Sequence, residues 1–208
     1  MLLYAVTDRR WTGKQTLYEQ VEAAVKGGVT CVQLREKELP EADFLKEAVE
    51  IRELCNDYGV PFMINDNVEV ALLCGADGIH VGQRDMEAAD VRKAVGDQMI
   101  LGVSVQTVEQ AVRAQEAGAD YLGVGAVFST GTKPDAKSVS YETLREICER
   151  VSIPVTAIGG IHKGNIKELS GSGVDGIALV SAIFGADDIE KECRELKALS
   201  GEMVSENK

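Results

Sequence analysis

Two aspartates, Asp66 and Asp85, stand just after two short apolar segments of the chain, 61–65 and 78–82. If both segments are strands, they lie side by side about 4.8 Å apart, and the two carboxylates can converge. A pair of carboxylates at the mouth of a cavity suits a hard, oxygen-seeking cation such as Mg²⁺. Each aspartate alone could equally cap the helix that follows it. The prediction of a metal site therefore rests on the two residues together.

A second polar group alternates along the end of an earlier apolar segment. Gln33, Arg35 and Lys37 are two residues apart, and alternate residues of a strand share one face. We expect these side chains to face the same cavity, and Val32 and Leu34 to face the opposite way. A cation on the inward face of an apolar strand needs an anionic partner, so the pattern predicts an anionic ligand. For Lys37 alone, a solvated loop is the alternative.

Later segments add hydroxyls, backbone donors and one cation. Ser104 ends an apolar segment, and the sequence Ser-Thr-Gly-Thr-Lys-Pro at 129–134 is dense in hydroxyls without the glycine spacing of a Walker A loop. Gly159 and Gly160 follow another apolar segment, and paired glycines let the backbone approach a ligand closely. Loops after the last strands of a barrel often bind phosphate through backbone N–H groups. These features predict a phosphorylated ligand.

The elements that must position these residues alternate along the whole chain. Continuous apolar runs rich in Val and Ile, typical of strands covered on both faces, occupy 2–7, 30–35, 61–65, 78–82, 100–104, 121–127, 153–158 and 176–181. Segments with helical spacing occupy 16–26, 41–57, 67–74, 87–95, 107–117, 141–150, 163–170 and 187–199. Eight units of about 26 residues predict an α/β fold, a single (β/α)8 TIM barrel over residues 1–200 with a loose tail at 201–208. A doubly wound open sheet is the alternative.

A weak repeat supports eight equal units. A glycine followed two residues later by Thr or Asp precedes each even-numbered segment, in Gly-Val-Thr at 28–30, Gly-Ala-Asp at 75–77 and 118–120, and Gly-Val-Asp at 173–175. Glycine is the expected residue just after a helix, and Asp is typical of the turn into a strand. We expect these residues to be structural and to lie at the bottom of the barrel, away from the ligand.

Composition excludes several classes of partner. The 208 residues include 22 Lys plus Arg against 34 Asp plus Glu, a net charge of −12, so binding to nucleic acid or an anionic membrane is not expected. The chain has no 18-residue apolar run, its first residues lack the basic start and long apolar stretch that we would expect of a signal peptide, and its five cysteines form no CxxC pair. We predict a cytoplasmic protein that binds small molecules. Its oligomeric state, including a homo-oligomer, is left open.

Taken together, several segments resemble those of one known family, thiamine phosphate synthase. They are QLREK at 33–37, IND at 64–66, ADGIHVGQRD at 76–85, GVS at 102–104, GADYLGVGAVFSTGTKPDA at 118–136, AIGGI at 157–161 and ALVSAI at 178–183. The resemblance spans nearly the whole chain in the same order. It implies a transferase that joins a pyrimidine methyl diphosphate to a thiazole ethyl phosphate and releases diphosphate, with Mg²⁺ present.

The resemblance also implies roles for individual residues. Asp66 and Asp85 would hold Mg²⁺. The pyrimidine diphosphate would contact Gln33, Arg35, Lys37, Asn65, Ser104 and Lys133, of which Lys133, Arg35 and Ser104 are the catalytic candidates. The thiazole phosphate would contact Thr130, Thr132, Gly160, Val180 and Ser181. The family often has Pro where this chain has Ala126 and Gly131, and neither change removes a ligand group.

The implied reaction needs charge stabilisation and no general base for the new bond. If diphosphate leaves first, the thiazole nitrogen attacks the resulting cation with a lone pair and has no proton to lose. Mg²⁺, Lys133 and Arg35 would then stabilise the leaving group. A site poor in histidine fits this chemistry, and we expect His80 to be an interior strand residue.

Three other functions remain open from the sequence. The first is a thiazole tautomerase of the same fold, for which His162 is the nearby acid–base candidate. The second is a sugar-phosphate isomerase or epimerase, and the third is a non-catalytic regulator that binds a phosphorylated ligand. The intact set of polar residues favours the synthase.

Overall fold

Eight parallel strands close into a barrel in the order of the chain. The structure is a computed structural model that describes residues 1–13, 15–129 and 138–207. The strands are β1 Leu3–Val6, β2 Cys31–Leu34, β3 Phe62–Asn65, β4 Gly78–Val81, β5 Ile100–Val105, β6 Tyr121–Val124, β7 Val155–Ile158 and β8 Gly176–Leu179. Because β1 pairs with β8 as well as with β2, the sheet has no edge. The predicted (β/α)8 barrel is confirmed, and the open sheet is excluded.

Helices follow the strands and cover the outside of the barrel. In the described ranges they are α1 Leu17–Lys26, α2 Glu41–Asp57, α3 Val68–Cys74, α4 Ala88–Val95, α5 Val108–Glu116, α6 Tyr141–Arg150, α7 Ser181–Phe184 and α8 Ile189–Ser205. Many begin where the sequence offers a capping side chain; the Thr16 hydroxyl accepts from the backbone N–H of Glu19 and forms a full capping box. No helix in the described part of the chain is both long and apolar enough to span a bilayer.

Two elements differ from the prediction. The segment predicted as a helix over 163–170 forms only a 3₁₀ turn, Ile166–Leu169, because a turn closed by Asn165 precedes it and Gly171 follows at φ +79°. The helix α8 continues to Ser205, past the predicted start of a loose tail at residue 201. It continues because Met203 is fully buried and Asn207 bonds the backbone at Gly171 and Val174.

The two faces of each strand have different surroundings. The outward face packs against the helices and carries apolar residues such as Val32 and Leu34. The inward face forms a separate, smaller cluster in the lower barrel, made of Tyr4, Val6, Cys31, Met63, Tyr121 and Ala178. Space for the large rings comes from glycines, since a Cβ at Gly102 would overlap the ring of Tyr121. Above this cluster the inward side chains become polar.

A fourfold set of hydrogen bonds closes the bottom of the barrel. Just before each even-numbered strand, a Thr or Asp side chain accepts from a backbone N–H near the start of the preceding strand. The pairs are Thr30 with Leu3 at 3.0 Å, and Asp77 with Phe62, Asp120 with Leu101 and Asp175 with Val155, each at 2.8 Å. The repeat glycines Gly28, Gly75, Gly118 and Gly173 all have positive φ, as expected for residues that end helices. The repeat is therefore structural, as predicted.

Candidate active site

The polar residues singled out in the sequence gather at the carboxyl end of the barrel, here called the mouth. Each described member lies in the last two positions of a strand or in the segment directly after it: Gln33, Arg35, Lys37, Asn65, Asp66, Asp85, Ser104, Gly160, Val180 and Ser181. The candidates Thr130, Thr132 and Lys133 lie outside the described residues. The mouth is where barrels of this kind carry their active sites.

The residue directly after β2 is a cation whose charge acts on one acidic neighbour. Arg35 follows the strand and its backbone N–H donates to the Thr7 hydroxyl at 2.9 Å. Its Nε is buried and has no hydrogen-bond partner within the described residues. The Arg10 guanidinium, whose Nη2 lies 2.5 Å from Asp8 Oδ2, lowers the pKa of Asp8 at the adjoining end of β1. The charge of Arg35 lowers it further. A buried guanidinium donor without an acceptor is suited to an anionic ligand.

The two aspartates converge as the sequence predicted. The Lys37 ammonium forms an ion pair with Asp66, whose backbone has a left-handed φ of +63°. The Asp85 carboxylate accepts from the Gly82 N–H at 2.7 Å. Burial, and the adjacent Asp66 carboxyl, raise the pKa of Asp85, which requires the two groups to be close. A strained backbone position that brings like charges together is typical of a functional site.

Neither aspartate caps a helix, which removes their alternative role. The helix α3 is capped by Asn67, whose side-chain oxygen accepts from the Val70 N–H at 2.9 Å. The helix α4 begins after Glu87 and has no side-chain cap. Asp85 instead bonds within the loop that leads from β4. The carboxylates of Asp66 and Asp85 therefore take no part in helix initiation.

The two carboxylates fit Mg²⁺ better than they fit a metal whose ligands all come from the protein. Across the described residues, no group of three or more His, Cys, Asp or Glu side chains is arranged to hold a metal ion. Mg²⁺, however, commonly takes one or two carboxylates and completes its shell with water and substrate phosphate oxygens. A cation beside Asp66 and Asp85 would also relieve the repulsion that raises the pKa of Asp85. The pair therefore fits a magnesium ion bound together with a phosphorylated ligand.

Between β4, β5 and β6 the inward face holds a histidine, and each of its ring nitrogens lies near a hydroxyl of the described residues. The His80 Nε2 lies 2.8 Å from the Ser104 hydroxyl, and its Nδ1 lies 2.7 Å from the Tyr121 hydroxyl. The side chain of Gln83 donates to the Ser104 carbonyl at 2.9 Å. His80 is the interior residue that the sequence analysis expected. Tyr121 and Gln83 were missed, although Tyr121 occupies an inward position of its strand.

Contacts with neighbouring loops determine the conformation of the glycine pair after β7. The loop after β6 bonds to it, with Phe128 N–H donating to the Gly159 carbonyl at 3.0 Å. Gly160 has φ +67°, and a Cβ there would lie 2.8 Å from that of Phe128 and overlap the Ser129 carbonyl. Asn165 also donates to the Gly160 carbonyl at 2.9 Å, a contact that the sequence analysis did not foresee. Glycine is thus required for the packing of two mouth loops, in addition to any contact with a ligand.

His162, the candidate for acid–base chemistry, is an exposed residue on the rim. Its Nδ1 accepts from the Gly164 N–H at 3.1 Å, and its own backbone N–H donates to the Asn165 side chain at 2.8 Å. These bonds hold the imidazole ring of His162 within a local turn. The arrangement gives no support to a proton-transfer role for His162.

Known proteins resemble the chain over almost its full length. A family model described as thiamine monophosphate synthase matches residues 3–183. Thiamine-phosphate synthases of Clostridium botulinum and Ruminiclostridium cellulolyticum are 50% identical over 195 residues and 52% identical over 194 residues. These alignments cover 94% and 93% of this chain and 92% of each relative. The solved structure of thiamine phosphate pyrophosphorylase from Pyrococcus furiosus has a TM-score of 0.91 and 40% identity, covering 98% of this chain and 96% of that one.

Proposed function

Because the chain belongs to the thiamine monophosphate synthase family, we propose that it catalyses formation of thiamine phosphate. It is a transferase that joins an aminopyrimidine methyl diphosphate to a thiazole ethyl phosphate and releases diphosphate. The observation that carries this conclusion is the identity of about one half to thiamine-phosphate synthases over more than nine tenths of the chain. The polar mouth supplies the groups that two phosphorylated substrates require.

We propose that the pyrimidine diphosphate lies against β2, β3 and β5. Arg35 and Lys37 supply positive charge, and Lys133 supplies more. Gln33, Asn65 and Ser104 supply neutral hydrogen-bonding groups from the inward faces of their strands. The support is the buried Arg35 Nε, which has no acceptor in the described residues. Local cations of this kind allow a protein with a net charge of −12 to bind an anion.

We propose that Asp66 and Asp85 hold Mg²⁺. Their support is their convergence, together with the rise that burial and Asp66 cause in the pKa of Asp85. When bound, the ion supplies positive charge to the oxygens of the diphosphate. Lys37, which pairs with Asp66, adds a second positive charge on the same side of the mouth.

The proposed reaction depends on stabilising the charge of the leaving group. The bond between the pyrimidine methylene carbon and the diphosphate oxygen breaks, and both electrons leave with the oxygen. The thiazole nitrogen then gives its lone pair to the methylene carbon, and no proton is transferred. Arg35 and Lys133 stabilise the charge that develops on the departing oxygen, where preorganised donors have their largest effect. Ser104 holds the diphosphate in place for that departure.

The thiazole phosphate is proposed to bind on the opposite side of the mouth. Its ligands are Gly160 after β7, Val180 and Ser181 after β8, and Thr130 and Thr132. The support is the position of Gly160, Val180 and Ser181 directly after the neighbouring strands β7 and β8, where barrels of this kind often bind phosphate. We also propose that the enzyme works in the cytoplasm, since all five cysteines are free, as is typical of a reducing compartment.

The proposed function is tested by mixing the purified protein with both phosphorylated substrates and Mg²⁺. We expect thiamine phosphate and diphosphate in equal amounts, and no product when either substrate or the metal is omitted. Arg35→Ala should lower turnover strongly. Gly201→Ala is the matched control, because a Cβ at this helix position contacts nothing. No product from the unmodified protein at any Mg²⁺ concentration would refute the proposal.

A further inference from the structure

A continuous chain of hydrogen bonds crosses the barrel interior beneath the mouth. It starts at Gln33 on β2 and ends at Ser104 on β5, two residues proposed to bind the pyrimidine diphosphate. The links are Gln33 Nε2 to Tyr4 hydroxyl at 2.7 Å, Tyr4 hydroxyl to Tyr121 hydroxyl at 2.9 Å, Tyr121 hydroxyl to His80 Nδ1 at 2.7 Å and His80 Nε2 to Ser104 hydroxyl at 2.8 Å. We call these five residues the interior relay.

The middle of the relay is sealed from solvent. Tyr4 is 1% exposed and Tyr121 is 2% exposed, and their rings meet edge to face with centroids 6.1 Å apart. Burial raises the pKa of both phenols well above the ordinary value, so each keeps its proton at neutral pH. A phenol has one proton and therefore donates one hydrogen bond. When each phenol gives this proton to a member of the relay, the direction of one bond determines the direction of the next.

Two directions of the whole relay keep both phenol protons within it. In the first, Gln33 donates to Tyr4, Tyr4 to Tyr121 and Tyr121 to His80 Nδ1. His80 then carries its proton on Nε2 and donates to Ser104, whose own proton is free for a ligand. In the second, the Gln33 amide is turned so that its oxygen accepts from Tyr4, the other bonds are reversed, and Ser104 donates its proton to His80. The amide nitrogen of Gln33 points to Tyr4 in the structure, which corresponds to the first direction.

We propose that the Tyr4–Tyr121 pair sets the hydrogen-bonding character of the two ligand-binding residues at once. In the first direction Gln33 presents its amide oxygen to the mouth, as an acceptor, and Ser104 presents its hydroxyl proton, as a donor. A ligand with an amine donor at one end and anionic oxygens at the other matches this pattern. The aminopyrimidine diphosphate is such a ligand, and in this respect the inference rests on the proposed function. The tyrosines and His80 are positioning residues, since none of the three is proposed to contact the reacting atoms.

The first test removes one hydroxyl and keeps the ring. Tyr4→Phe deletes the link between Gln33 and the rest of the relay, so the Gln33 amide is free to turn. We expect KM for the pyrimidine diphosphate to rise about tenfold, the equivalent of one strong hydrogen bond. KM for the thiazole phosphate should change less than twofold. Tyr18→Phe, on the exposed face of α1, is the matched control. An unchanged pyrimidine KM in Tyr4→Phe would overturn the proposal.

The second test uses the unmodified protein without ligands. The chain has only two histidines, and His162→Gln assigns their side-chain ¹⁵N signals. We expect His80 to be the neutral tautomer with its proton on Nε2, and Tyr121→Phe to abolish this preference. A proton on Nδ1 in the unmodified protein would contradict the first direction and refute the proposal. Because this measurement needs no turnover, it separates failure of the relay from failure of the proposed function.

Discussion

A single methyl group added at Gly102 should disrupt the barrel interior. Gly102 on β5 is in register with Tyr121 on β6, and a Cβ at this position would overlap the ring. The ring must move, and overpacking of this kind costs about 1–3 kcal/mol. The displaced hydroxyl also loses its bonds to Tyr4 and His80. A buried polar group left without its partner costs about 1–3 kcal/mol, so we expect Gly102→Ala to lower the free energy of unfolding by about 2–6 kcal/mol.

Urea denaturation measures this loss directly, and Tm should fall by roughly 4–24 °C, since a domain of this size loses about 2–4 °C per kcal/mol. Gly201→Ala provides the opposite control. It adds a methyl group in helix α8 where a Cβ contacts nothing, and it should stabilise the protein by about 0.5–1 kcal/mol.

A double variant separates the two costs. In a Tyr121→Phe background the hydroxyl bonds are already lost, so adding Gly102→Ala should cost only the overpacking part, about 1–3 kcal/mol. If Gly102→Ala alone lowers the unfolding free energy by less than about 1 kcal/mol, the ring of Tyr121 is not held as described, and the reasoning is wrong.

Three further predictions concern the mouth. Asp85→Asn should leave the protein folded, raise the Mg²⁺ concentration needed for half-maximal turnover and lower turnover at saturating metal. Asp66→Asn should behave alike. The double variant should lose less activity than the sum of the two single losses, because both residues act through one ion. Normal Mg²⁺ dependence in both single variants would refute the metal site. Lys133→Ala should lower kcat about 10²–10³-fold with a smaller change in KM, and an unchanged kcat would remove this residue from the mechanism. Asn67→Ala should lower the unfolding free energy by about 1 kcal/mol through loss of the α3 cap, and urea denaturation should detect it.

The sequence was sufficient to predict the barrel because its signals are local and repeated. Continuous Val- and Ile-rich runs mark strands covered on both faces, and a glycine at each repeat marks the end of a helix. The alternation of Gln33 and Arg35 likewise placed both at the mouth, because strand parity is a property of neighbouring residues. The segment at 163–170 was harder, since a single buried turn and a short helix have similar apolar spacing.

The relay could not be predicted, because its contacts join distant parts of the chain. Tyr4 and Tyr121 are 117 residues apart and meet only because the barrel closes. Local preference also could not decide which residue caps α3, since Asn and Asp are about equally good caps. The structure shows that Asn67 takes this role, which leaves Asp66 available, and its positive φ is a further feature that the sequence does not signal.

The fourfold bonds at the bottom of the barrel affect which parts of the sequence can change without loss of the fold. They join backbone to side chain at the starts of the strands, and none of the residues proposed to bind substrate takes part in them. The determinants of folding and of specificity are thus carried by opposite ends of the same strands. Loops at the mouth can be exchanged or lengthened while strand register is maintained from below. Laboratory evolution of a new ligand preference should therefore be directed to the mouth loops, with the Asp-containing turns kept constant.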